Sequence, residues 1–437
     1  MKLLGETRSL CPTCFKEIKA KIVEKNGKTV MLKTCKNHGT FESLHVWDDP
    51  VMYTSMVNIF KNIRVSAEEK GFELTSRCNM KCPFCFVNAD ENGGKKKIEL
   101  SKEEILKNIE NLRDHTVVFS GGEPTVRDDL FDFIKEVKKR GLRAGILTNG
   151  LKLNKDYVKK LKELKLDKIQ LQLDALDDDC YQILRGQKCL NKKLDAISNL
   201  KDSGIYLNLF VMLAKGVNDI HIKDIIKFAI NNSETVNGVI FSSLCYEGRH
   251  NSNLKKMSNS DIMKNIEEQV GITRQDFLEC TKFDIVFSQT IGKKIRAKSI
   301  SPCDVICYLY VDGGKAIPVN KLLDLSFFIK QLENHSDTNK FLFSIINPFN
   351  IKKFLKRREA LPLLLKLFFS TLRQLVAGKM NTNYIMGILV TNFHDRYNVD
   401  LNLLDNCTIH AFDGKSFVPF CKKNILWNKD IMMPLKS

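Results

Sequence analysis

Three cysteines in one short stretch are the residues best placed to do chemistry. They sit in Thr75-Ser-Arg-Cys78-Asn-Met-Lys-Cys82-Pro-Phe-Cys85. Soft thiolates at this density suit zinc or an iron–sulfur cluster. A trio supplies three corners of a four-iron cluster and leaves one iron without a protein ligand, which is the open position a reacting centre needs. The plainer alternatives are a zinc knuckle or scattered buried cysteines. Gly121-Gly122-Glu123-Pro124 follows further along. Glycines there let the backbone approach a ligand, and the carboxylate can pair with an ammonium. Taken alone, those four residues would be an ordinary turn.

Two further cysteine sets flank the trio. Cys11-Pro-Thr-Cys14 is followed, after a spacer of twenty residues, by Cys35-Lys-Asn-His38. Two ligand pairs on two turns predict a tetrahedral structural site for zinc or a mononuclear iron, with His38 as the fourth ligand. Cys303 and Cys307, in Ser301-Pro-Cys303-Asp-Val-Ile-Cys307, together with Cys407 and Cys421 could hold an auxiliary cluster. Equally, they are buried structural thiols. Cys180, Cys189, Cys245 and Cys280 are isolated and are expected to serve packing.

The elements needed to position these residues follow from periodicity. Strands are expected at Phe72–Thr75, Thr116–Ser120, Leu142–Thr148, Lys168–Leu173, Tyr206–Leu213 and Val236–Phe241. Helices are expected at 101–112, 128–139, 156–164, 192–202 and 222–230, the first opened by Ser101 as cap. Alternation of this kind implies α/β architecture, a parallel sheet joined by right-handed crossovers. Six units give a partial (β/α)6 barrel, whose functional residues belong at the carboxyl ends of strands. The cysteine trio, Gly121-Gly122-Glu123 and Asn149 all follow strands. In the fourth strand the polar Gln170, Gln172 and Asp174 alternate with leucines, so they are expected to face the interior and a ligand. Arg185 follows; its plain reading is a surface ion pair. Three regions result: 1–67 with the Cys/His knuckle, 68–248 with the barrel, and 249–437 with the remaining candidate cluster and substrate region, a carboxyl-terminal α+β part.

The C-x3-C-x2-C spacing, with the aromatic Phe84 before Cys85, resembles the radical S-adenosylmethionine (SAM) superfamily. The resemblance implies a [4Fe-4S] cluster on Cys78, Cys82 and Cys85 with SAM on its open iron. It implies reductive cleavage of SAM to a 5′-deoxyadenosyl radical that abstracts hydrogen from an unactivated C–H bond. It places Gly121, Gly122 and Glu123 at the SAM amino group, and Phe84, Asn149, Gln172, Arg185 and Phe241 around the cofactor. An electron donor such as ferredoxin or flavodoxin is implied as well. The cysteine sets together are similar to the tetraether lipid synthase-like family, which includes pterin methyltransferases. One departure stands out: residues 47–67, where that family has a cysteine-rich stretch, contain no cysteine.

Size and charge bound the rest. The chain has 437 residues, 43% apolar and 27% charged, and a net charge of +18 from 69 basic and 51 acidic residues. That surplus fits an anionic membrane surface or polyanion, or simply a basic background. No nucleic-acid module and no cobalamin-binding domain is recognisable, so nucleic acid is not an expected partner. No secretory leader and no 20-residue apolar run is visible, so a cytoplasmic protein with reduced thiols is expected. The stretch 351–379 mixes lysines and arginines with leucine and phenylalanine, and Pro362 should split it into two helices. Such a pair suggests peripheral contact with a membrane or lipid, or a buried helix with a basic edge. The expected activity is radical chemistry on a lipid chain, with C–C bond formation as one outcome. A pterin-like molecule or a peptide is the alternative substrate, and a non-catalytic metal scaffold the alternative class.

Overall fold

The computed structural model describes residues 1–61, 63, 67–94, 99–250, 253–289, 301–334, 353, 355–356, 360–363, 366 and 384–429. Four strands open the chain: β1 (Lys2–Leu10), β2 (Glu17–Lys25), β3 (Lys28–Cys35) and β4 (Gly39–Leu44). They pair antiparallel in sequential order. Helix α1 (Pro50–Phe60) follows, started by Asp49, whose side chain accepts from the Val51 and Met52 N–H groups.

The next units are β5 (Glu69–Thr75), α2 (Lys102–Glu110), β6 (Thr116–Gly121), α3 (Leu130–Lys139), β7 (Arg143–Thr148), α4 (Lys155–Glu163) and β8 (Lys168–Gln172). Then come α5 (Asp178–Arg185), α6 (Leu190–Leu200), β9 (Tyr206–Leu213), α7 (Ile222–Asn231) and β10 (Val236–Ser243). Strands β5 to β10 lie side by side in chain order and pair in parallel. This is the α/β partial barrel expected from the alternation of strand and helix. Ser101 caps α2 by accepting from the Glu104 N–H at 3.1 Å. The periodicity missed α5, an eight-residue helix closed by Gly186 in the left-handed region.

The sheet does not stop at β10. Strand β13 (Ile385–Thr391) pairs in parallel with β10, and β11 (Asp304–Asp312) pairs antiparallel with β13 and carries the hairpin partner β12 (Lys315–Pro318). At the other edge β14 (Ile409–Phe412) pairs in parallel with β5 and antiparallel with its hairpin partner β15 (Phe417–Pro419). The result is eleven strands in one sheet.

Side-chain alternation gives the barrel two unlike faces. Phe72, Leu74, Val117, Phe119, Ala144, Ile146, Ile169, Leu171, Leu209 and Val211 join one apolar core with the helices. The opposite face carries Glu73, Gln170, Gln172 and Asn208. Curvature shows in a long-range pair: Lys168 on β8 reaches past β7 and β6 to Glu69 on β5 at 2.5 Å. Gly145 on β7 makes room, since a Cβ there would sit 2.6 Å from the Lys168 chain. Among the described residues no helix is long and apolar enough to cross a membrane. The basic apolar stretch 351–379, with Pro362, lies largely outside the described residues.

The amino-terminal sheet docks on residues 395–405 through polar bonds. Thr7 donates to Asp400 at 2.5 Å and Ser9 to the Val399 carbonyl at 2.6 Å. Trp47 Nε1 adds a bond to the Pro302 carbonyl at 3.1 Å. Arg396 lies on the docked segment, where its carbonyl accepts from Lys33 Nζ at 3.0 Å. Its guanidinium meets Glu247 at 3.0 and 2.7 Å and donates to the Asn428 carbonyl at 3.0 Å. Both partners are buried. Removing one side of a buried pair strands the other charge, at a cost of about 3–5 kcal/mol. Arg396→Ala should therefore destabilise the protein by about 3 kcal/mol in urea unfolding, and a change under about 0.5 kcal/mol would contradict this account.

Candidate metal and cofactor site

The loop after β5 carries the trio. Cys78 is buried; Cys82 and Cys85 are partly exposed. No regular element spans this loop, so other segments satisfy its backbone. The Cys78 N–H donates to the Asp90 carbonyl at 2.9 Å. Cys85 and Arg249 exchange two backbone bonds of 2.7 and 2.8 Å. The Arg249 side chain then donates to the Cys82 carbonyl (2.7 Å), the Ala89 carbonyl (2.6 Å) and Asn88 (3.2 Å). Arg249 is the main residue that motif spacing overlooked. It lies just beyond β10, at a strand end where a guanidinium could have been suspected.

The sulfurs are reached by donors. The Ala89 N–H lies 3.3 Å from Cys85 Sγ, Asn149 Nδ2 3.9 Å from Cys78 Sγ, and Arg185 Nη1 3.8 Å from Cys82 Sγ. Burial, and then the charge of Glu123, pushes the Cys78 thiol up to about 12. Burial likewise raises Cys85. Thiols like these become thiolates only by exchanging protons for metal.

Gly121-Gly122-Glu123 packs directly against this loop. The Gly122 N–H donates to the Thr75 carbonyl at 2.7 Å and the Glu123 N–H to the Arg77 carbonyl at 3.0 Å. A Cβ on Gly121 would lie 2.4 Å from the Thr75 carbonyl oxygen, and one on Gly122 2.3 Å from that of Arg77. Glu123 is buried, and its carboxylate gathers Thr125 N–H (3.1 Å), Thr125 Oγ1 (2.6 Å), Thr148 Oγ1 (2.7 Å) and Asn149 N–H (2.7 Å). It therefore fixes the end of β7 against the end of β6.

A second polar cluster lies at the ends of β8 and β9. Asp174, fully buried, accepts from Arg185 Nε at 2.7 Å and Nη2 at 2.9 Å and from the Met212 N–H at 2.9 Å. Burial works against the Arg185 charge, but Asp174 and then Cys82 more than offset it and raise its pKa. The guanidinium stacks over Phe84, 5.0 Å from the ring centre. Arg185 is thus a bidentate link from Asp174 to the cysteine loop, not a surface ion pair. Lys193, fully buried, donates to Gln172 at 2.6 Å and to the Asn149 carbonyl. Burial lowers it to about 8. Sequence spacing does not single it out.

Phe241 is placed differently from its expected position beside the cofactor. Its side chain belongs to the helix-side core with Val211, because the two share a register. Ile240 and Ser242 take the opposite face, and Ser242 Oγ is buried with no hydrogen-bond partner.

The donor set suits a [4Fe-4S] cluster: three sulfurs in one loop, glycines that bring backbone close beside them, and N–H groups aimed at sulfur. Bound there, such a cluster with SAM supplies one-electron cleavage of SAM and hydrogen abstraction. The chain's own residues hold the loop and orient the sulfurs.

The amino-terminal quartet converges. Cys11, Cys14, Cys35 and His38 have ligand atoms all within 4.8 Å of one another. Cys14 and Cys35 sulfurs are 4.0 Å apart, and His38 Nδ1 is 3.6 Å from Cys11 Sγ and 3.4 Å from Cys35 Sγ. A tetrahedron with metal–sulfur bonds of about 2.3 Å has edges of about 3.8 Å, so one ion fits. The Asn37 N–H and then the His38 ring lower the Cys35 thiol to about 6. The carboxyl-terminal set is split. Burial, then Asp304, Cys407 and Cys421 raise the Cys303 thiol, so these sulfurs lie within range of each other's charge. Cys245, expected only to pack, is also within range of Cys421. Cys307 instead turns its Sγ to the Tyr308 carbonyl at 3.9 Å, and the neighbouring Cys280 thiol, then burial, raise its pKa.

Metal counting tests both sites. Cys82→Ala should lower the iron of the reconstituted protein by about one cluster while its far-ultraviolet circular dichroism matches that of the intact apoprotein, and full iron retention would contradict the site. Cys35→Ser should cost one equivalent of bound metal at the amino-terminal quartet, read by elemental analysis, with cluster iron intact.

Comparison with known proteins agrees with this geometry. Residues 72–229 match the radical SAM superfamily and residues 3–48 the HMPTM N-terminal zinc ribbon domain. The chain is 30% identical to the 7,8-dihydro-6-hydroxymethylpterin dimethyltransferase of Methanocaldococcus jannaschii, covering 98% of this chain and 94% of that one. It is 31% identical to the Fe-coproporphyrin III synthase of Methanosarcina barkeri over 44% of this chain and 46% of that protein. Among solved structures, Streptococcus suis SuiB bound to precursor peptide SuiA has a TM-score of 0.41 at 17% identity, covering 51% of this chain and 49% of that one. The chain belongs to the radical SAM superfamily, in the family of the 7,8-dihydro-6-hydroxymethylpterin dimethyltransferase.

Proposed function

We propose that the chain uses SAM-derived radical chemistry to methylate a reduced pterin or a similar nitrogen heterocycle. The observation that carries this reading is the similarity to the M. jannaschii dimethyltransferase, which extends over 98% of the chain and so includes the ribbon, the barrel and the carboxyl-terminal cysteines. The lipid reading draws on the family resemblance and on the basic apolar stretch 351–379, which lies largely outside the described residues, so the pterin reading has the stronger support.

In this reading Cys78, Cys82 and Cys85 hold the [4Fe-4S] cluster. Gly121, Gly122 and Glu123 stand at the SAM amino group, where Glu123 organises the backbone that meets it. Phe84, Asn149, Gln172 and Arg185 flank the cofactor, with Ile240 and Ser242 in the inward positions beside Phe241. Cys303, Cys307, Cys407 and Cys421 are the candidate ligands of an auxiliary cluster, with Cys245 a further thiol whose pKa Cys421 helps to raise. The amino-terminal quartet holds zinc. A reduced ferredoxin or flavodoxin supplies the electron.

Anaerobically reconstituted protein, given SAM and a reductant, should release 5′-deoxyadenosine. With 7,8-dihydro-6-hydroxymethylpterin present, the pterin should gain methyl mass; because the cleaved SAM keeps its methyl on methionine, the methyl comes from a second SAM, released as S-adenosylhomocysteine, or from an added one-carbon carrier. Deoxyadenosine without any change in the pterin would sink the substrate assignment but leave the radical chemistry. Arg185→Lys keeps a charge but loses the planar fork, so SAM affinity should fall about tenfold, about 1.4 kcal/mol, in equilibrium binding.

A further inference from the structure

A cluster outside the cysteine sites carries metal-binding chemistry of its own. Asp177, Cys180 and His221 bring one ligand atom each to within 4.8 Å of one another. They come from neighbouring β/α units. Asp177 is the cap of α5, Cys180 lies in its first turn, and His221 immediately precedes α7. A thiolate, an imidazole and a carboxylate together form a donor set that suits zinc.

The surroundings favour a cation. A bare helix start repels positive charge, but α5 offsets this with Asp177, Asp178 and Asp179. Asp224 adds another carboxylate, 3.6 Å from His221 Nδ1. Cys180 is buried, while Asp177 and His221 are partly exposed, so a fourth position is open to solvent. Cys180 Sγ turns to the Val217 carbonyl at 3.6 Å, a weak partner that a metal would replace at little cost.

We propose that Asp177, Cys180 and His221 bind a divalent transition metal, zinc in the first instance, with water as the fourth ligand. Its role is to pin the start of α5 to the start of α7. The far end of α5 carries Arg185, which reaches both Asp174 and Cys82. The ion therefore clamps the helix that presents Arg185 to the cysteine loop. This site is independent of the pterin reading.

The test counts zinc on full-length, cluster-loaded protein. The intact chain should hold one equivalent more than His221→Ala, and Cys180→Ser should lose the same equivalent, with iron unchanged in both. Cys11→Ser/Cys14→Ser removes the ribbon site; zinc remaining on it should show, by X-ray absorption, a single sulfur among nitrogen and oxygen neighbours. Equal zinc in the intact chain and His221→Ala would overturn the proposal. So would a remaining zinc with only sulfur neighbours, which would place it among the other cysteines.

Discussion

Everything at the mouth of the barrel depends on holding an irregular loop still. The segment from Cys78 to Cys85 has neither helix nor ladder to satisfy its peptide groups, yet it must present three sulfurs at fixed spacing. The chain solves this with borrowed partners. Arg249 braces the loop by bonding the Cys82 carbonyl within it and the Ala89 carbonyl just beyond it, the Cys85–Arg249 bridge closes it as a miniature strand pair, and Asp90 anchors its entry. A guanidinium is well suited because its rigid fork satisfies several carbonyls at once.

The remaining polar groups form tiers above that loop. Glu123 joins the ends of β6 and β7, and Asp174 joins β8 and β9 through Arg185 and the Met212 N–H. Both carboxylates are buried and richly bonded, which keeps a low-dielectric pocket from becoming a liability. Lys193 links the two tiers by bonding Gln172 and the Asn149 carbonyl. A polar interior of this kind costs stability unless its members are satisfied, and these four are.

Much of this is legible in the residues. The six strands and the trio follow from period-two alternation and cysteine spacing, both strictly local signals. The same alternation turns Gln172 and Asp174 inward. What escapes is non-local. Arg249 and Lys193 act through partners more than twenty residues away, and no spacing rule connects them to the cysteines. Phe241 fits a motif but not the register; being one residue from Ile240, it points to the other face. Cys303 and Cys307 look like one ligand pair, but Cys303 stands just before β11 and Cys307 within it. Their environments separate: the Cys303 sulfur meets the Asp304 carboxylate, and the Cys307 sulfur the Tyr308 carbonyl.

The outer strands of the large sheet bear on how the molecule is made. Strand β5 is bordered by β14, with Glu69 opposite Ile409, and β10 is bordered by β13, with Gly238 opposite Gly387. During synthesis the six-unit core therefore emerges with both edges bare and waits for later residues to cover them. Uncovered parallel edges are templates for pairing between nascent chains. Long-range closure of this kind is slow. The final segments thus act as the protein's own late-arriving chaperone, sealing a sheet whose first strands left the ribosome more than three hundred residues earlier.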